Sequence, residues 1–116
     1  MPVLPTLPDR LRSDLKQAMK DRDRPAVAAL RQTLAAIANA EAPALPDTQG
    51  TPPVEPVLGR ANEVERLALT DADVARIVAA ELAERERAAD EYARLDRPGE
   101  AAAVTAEASV LRRYLA

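Results

Sequence analysis

The chain has 116 residues, a formal net charge of −3, and neither cysteine nor histidine. Those absences exclude disulfides, thiolate or imidazole metal sites, and every Ser-His-Asp or Cys-His nucleophile arrangement, while the length is that of one domain. Alanine supplies 26 residues against 14 leucines and nine valines, with no Phe or Trp and only three glycines, so the core must come from leucine and valine carried on helices.

The first helix is expected over about residues 7–22. Thr6 and Asp9 have the form of a capping box, and Pro8 is tolerated in a first turn. Leu7, Leu11, Leu15, Ala18 and Met19 recur every three or four residues and define its apolar face. Pro25 disfavours a helical Arg24 and opens a second helix over about 25–42. There Val27, Leu30, Leu34 and Ile37 form the stripe, and the short join makes the pair a helical hairpin.

From 43 to 69 the helical pattern fails. Pro43, Pro46, Pro52, Pro53 and Pro56, with Gly50 and Gly59, remove backbone donors and fix φ, so a long proline-rich loop is expected. Thr70, Asp71 and Asp73 then place a hydroxyl cap before two acids, opening a third helix over about 71–95. Its stripe is Val74, Ile77, Val78, Leu82, Ala89 and Tyr92, and Glu81 pairs with Arg85 one turn on, as in a solvated face. Asp96 is the expected cap of a fourth helix over about 97–115, with Val104, Ala108, Leu111 and Leu115 as its stripe. The fold class is all-α: one four-helix domain of two antiparallel hairpins joined by the long loop.

Charge is unevenly spread. Residues 1–42 hold seven basic against five acidic side chains, whereas residues 70–116 hold seven against ten. A basic front suits contact with a polyanion. No apolar run approaches the roughly 20 residues that cross a bilayer, and the sequence from Met1 to Arg10 lacks a charged leader and apolar core. A cytoplasmic protein with no membrane partner is the expectation.

Catalytic chemistry finds little to work with. Asp71 and Asp73, or Glu81 and Glu84, are the available carboxylate pairs, and they fit capping and solvated ion pairing. Three isolated glycines cannot cradle a phosphate, so no cofactor and no metal are expected. Candidate phosphate contacts are Lys16, Lys20, Arg31, Arg85, Arg87, Arg112 and Arg113. Only Tyr92 and Tyr114 could stack on a base, and both fit helix-packing positions.

Three blocks add a resemblance. They are Asp14-Leu15-Lys16-Gln17-Ala18-Met19-Lys20; Leu30-Arg31 followed by Ile37, Asn39 and Glu41; and Leu69-Thr70-Asp71 followed by Glu81, Arg85, Ala89 and Tyr92. In order and spacing the series resembles the YqeY-like family, whose GatB/YqeY domain is related to the tail of the Asp/Glu-tRNA amidotransferase B subunit. The likeness covers about residues 7–42 and 67–116. Family members continue into a second, smaller helical domain, so the resemblance implies a short form holding the N-terminal helical part. It implies a non-catalytic accessory related to a carbon–nitrogen ligase with glutamine as amido-N-donor, associated with tRNA or a tRNA-handling complex. Asn39, Glu41, Glu81, Arg85 and Tyr92 are its motif residues, with Asn39 and Glu41 expected to bridge to residues 63–66. The alternative is a helical adaptor that binds a protein partner through its alanine-rich faces and has no nucleic-acid role.

Overall fold

A computed structural model describes residues 4–42 and 68–115. Four helices follow in order: α1 (Leu7–Asp21), α2 (Arg24–Glu41), α3 (Asp71–Arg94) and α4 (Pro98–Arg112). No strand occurs among the described residues, so the all-α, four-helix expectation holds. The expected loop 43–69 lies outside the described residues, except for positions 68 and 69.

Each helix begins and ends for local reasons. Thr6 accepts from the Asp9 amide while the Asp9 carboxylate accepts from the Thr6 amide, the expected capping box. Thr70 and Asp73 repeat it at the start of α3, at 3.0 Å in both directions. The Thr70 bonds hold the Asp73 carboxyl below the ordinary aspartate range, with Arg76 reinforcing them. α1 stops where Arg22 turns left-handed (φ 56°), and the Asp23 amide closes the turn on the Ala18 carbonyl at 2.9 Å. Asp23 then caps α2 by accepting from the Ala26 amide.

The join between α3 and α4 corrects one expectation. Asp96 does not cap α4: it takes φ 58°, a left-handed position that aspartate tolerates, and the Arg97 amide donates to the Tyr92 carbonyl at 2.9 Å. Arg97 occupies the cap position, where its side chain caps no helix amide and instead pairs with the Glu100 carboxylate of the first turn. α4 also stops earlier than expected, at Arg112, with Arg113 to Leu115 forming a turn. Leu115 therefore leaves the stripe and is 36% exposed.

The core runs through all four helices. Leu7, Leu11 and Ala18 come from α1, Ala26, Ala29, Leu30 and Ile37 from α2, Val74 and Val78 from α3, and Val110 and Leu111 from α4. α3 packs most extensively on α4, and α2 touches all three other helices. Tyr92, near the turn, shares a depression with Val104, while further back Arg85 meets Glu107 and Glu86 meets Arg112. Partners on α4 advance as α3 is followed backwards, which is antiparallel register. The central place of α2 explains why Ala26, Ala29 and Thr33 are fully enclosed whereas the expected stripe members Val27 and Leu34 are half-buried. Small side chains let three neighbours approach. Met19, expected on the apolar face of α1, is instead 50% exposed.

Candidate nucleic-acid interface

Positive charge occupies three kinds of place in this fold, beginning with the interior. Arg85 is 5% exposed. Its Nε donates to Glu107 at 3.0 Å, its Nη1 donates to the Glu81 carboxylate at 3.0 Å and the Glu81 carbonyl at 3.1 Å, and its Nη2 donates to the Gln32 side-chain oxygen. One guanidinium thus ties α2, α3 and α4 together. Among the described residues, no buried side-chain nitrogen or oxygen lacks a hydrogen-bond partner. This corrects the reading of Glu81–Arg85 as a solvated surface pair, and it removes Arg85 from the exposed set offered for phosphate contact. A guanidinium committed to two carboxylates and an amide has little left for a ligand.

A second group, the exposed Arg10 and Arg113, lies around the half-buried Tyr114, where the turn after α4 returns to α1. The Tyr114 hydroxyl donates to Asp14, and the Arg10 guanidinium sits 5.4 Å from the centre of the Tyr114 ring. Burial, and then the hydrogen bond to Asp14, push the Tyr114 hydroxyl above the ordinary tyrosine value. The hollow beside it, about 320 Å³, is lined by both charge signs, with Asp21, Asp23 and Arg113 at its edge. Gln17 donates to Asp21 at 3.0 Å, and Asp23 is engaged with the start of α2.

The third place is the outer face of α1. Arg12, Lys16 and Lys20 are exposed and four residues apart, so they stand one above another along the helix. Asp14 and Asp21 fall, with Arg10, on the side turned to the Tyr114 hollow, away from Lys16 and Lys20. Met19 lies beside Lys16 and Lys20, and Arg31 of α2 reaches to 4.0 Å from the Met19 sulfur. Among the described residues, the acid bonded within this patch is Asp9, 3.3 Å from Arg12.

The structure thus brings Lys16, Lys20 and Arg31 together and adds Arg12, which is not among the expected contacts although it stands four residues before Lys16. The remaining candidates belong elsewhere. Arg87 is exposed on α3, Arg112 pairs with Glu86 at 3.0 Å, and Arg113 borders the Tyr114 hollow. Among the motif residues, Glu81 and Arg85 are joined directly. Tyr92 is half-buried with the Arg97 guanidinium 5.6 Å from its ring centre. Asn39 is exposed and Glu41 half-buried at the end of α2, and residues 63–66, their expected partners, lie outside the described residues. Among the described residues no cluster of acids is arranged to hold a metal ion, and no helix is long and apolar enough to cross a membrane. No family model, curated protein or solved structure matches the chain.

Proposed function

We propose that the chain is a non-catalytic helical accessory that associates with tRNA through the outer face of α1, the role that its resemblance to the YqeY-like, amidotransferase-tail family implies. The observation that carries this reading is the segregation of charge on α1. Arg12, Lys16 and Lys20 stand in one exposed row with Arg31 beside them; of the acids of the same helix, Asp14 and Asp21 turn to the other side, and Asp9 stays at the start of the row, bonded to Arg12. A row of one sign concentrates positive potential and attracts phosphate even when the whole molecule is acidic. Of the four carboxylates offered for acid–base chemistry, Asp73 is engaged in a cap and Glu81 on Arg85, while Asp71 and Glu84 are exposed on α3.

Binding of the full chain to deacylated tRNA, followed over a salt series, tests the proposal. Phosphate contact requires log affinity to fall linearly with log salt, and Lys16→Gln with Lys20→Gln should lower that slope by about two. Binding that is insensitive to salt, or unchanged in the double variant, would instead favour the adaptor reading, in which an apolar surface meets a protein.

A further inference from the structure

We infer that the α1 face selects base-paired stems over unpaired strands and reads no base sequence, an inference that rests on the tRNA-associated reading above. Unpaired RNA is held by side chains that stack on splayed bases, and paired RNA by its regular phosphates and 2′-hydroxyls. The stacking inventory of this chain is short. It has no Phe, Trp or His, and its two tyrosines are Tyr92 and Tyr114. Both are half-buried, each with a guanidinium over one face of its ring. Tyr92 carries Arg97 against its ring, and Tyr114 carries Arg10 against its ring while its hydroxyl is held by Asp14.

The basic row itself points the same way. Its last two members are lysines, compact point charges with no flat surface to lay on a base. Arg12 is tethered to Asp9, and Arg31 leans on Met19. Four-residue steps on a helix rise about 6 Å each, so Arg12, Lys16 and Lys20 span about 12 Å in a nearly straight line. A rigid line of charge engages best a backbone that is itself rigid and dense in phosphate. A duplex supplies both, since two strands share one axis and its counterion atmosphere is denser than that of a single strand. Where bases are not stacked upon, the ordering of a flexible strand is not compensated, and the stem is favoured.

The test compares three RNAs with equal numbers of phosphates: a hairpin stem, the same stem with its base pairs permuted, and an unstructured oligouridylate. Each is titrated with the full chain at two salt concentrations. The two stems should bind alike, and the oligouridylate should bind at least about fivefold more weakly, with all affinities falling as salt rises. Tyr92→Leu, with its helical content checked by circular dichroism, should leave all three affinities unchanged. Equal or tighter binding of the oligouridylate, a preference between the two stems, or loss of binding in Tyr92→Leu with helicity kept would each overturn the inference while leaving RNA association standing. Absence of binding to all three RNAs and to tRNA would overturn the association itself, and this inference with it.

Discussion

Arg85 and Lys16 carry the same formal charge in environments that use it oppositely. Arg85 sits with 6% of its side chain exposed, between Glu81 and Glu107, whose side chains are 18% and 22% exposed. Its charge is spent inside the molecule, holding three helices in register. Lys16 stands in the open, with Arg12 and Lys20 one turn away on either side. Its charge is available to something outside. The difference teaches that a count of basic residues says little about binding, because the neighbours of each cation decide whether it serves the fold or a partner.

The sharpest way to break this comparison is Arg85→Ala. Removing one member of a buried ionic cluster leaves carboxylates without a partner, and the cost approaches 3–5 kcal/mol for fully enclosed pairs. The partial exposure of both glutamates places the expectation at the lower end, about 3 kcal/mol by denaturant unfolding. Replacing Arg85, Glu81 and Glu107 together with leucine should leave stability near or above the parent, since no charge is then stranded. A loss below about 1 kcal/mol for Arg85→Ala would show that the guanidinium is not held as described.

The outer face predicts the reverse pattern. Lys16→Gln with Lys20→Gln should change stability by no more than about 0.5 kcal/mol, the usual range for exposed substitutions, while weakening RNA binding severalfold at low salt. A large loss of stability in that double variant would make the row a structural feature. Thr70→Ala sharpens the scale between these extremes. It removes a cap without stranding a charge in the interior, and should cost about 1 kcal/mol. Asp73 shares that cap. Because its pKa is lowered by folding, the stability it lends is present above the ordinary aspartate value and is lost as pH falls through the folded value. In Thr70→Ala the loss of stability on acidification should therefore be shallower than in the parent.

The starts of α1, α2 and α3 were legible because their signals are chemical and local, unlike the expected Asp96 cap of α4. Thr6 with Asp9, Pro25, and Thr70 with Asp73 each supply bonds or dihedrals that need no distant partner. What was harder to read depends on which neighbour a side chain meets. The stripe of α3 runs Val74, Val78, Leu82, Ala89, Tyr92, and helical spacing passes through Arg85, so a buried cation was signalled by position although its charge argued for the surface. Thr33 is the milder case. It falls between Leu30 and Ile37, is fully buried, and donates its hydroxyl to the Ala29 carbonyl at 2.8 Å. For both residues the helical period marks the buried position while the residue type argues against it. The bond of Tyr114 to Asp14 had no local signal, because it joins residues 100 positions apart and depends on α4 ending at Arg112.

That last contact lies between the two extremes and gives the smallest of the expected effects. Tyr114 is half-buried, and its hydroxyl donates to an exposed carboxylate, so Tyr114→Phe should cost less than about 1 kcal/mol near neutral pH. The pH dependence is more telling than the size. The folded state holds the phenolic proton more tightly than the unfolded chain does, so this group stabilises the fold fully below its ordinary value of about 10. As pH rises past that value the unfolded state gives up its proton first, and stability falls. Unfolding followed between pH 8 and 11 should therefore decline more steeply in the parent than in Tyr114→Phe. Ultraviolet titration should show one of the two tyrosines ionising later than an ordinary phenol, with that late step missing in Tyr114→Phe and present in Asp14→Asn, in which burial, the larger cause, remains. Parallel alkaline profiles for parent and Tyr114→Phe would mean that residues 113–115 do not close on α1, and would leave the cluster around Arg85 and the exposed Glu86–Arg112 pair as the charges that join helices among the described residues.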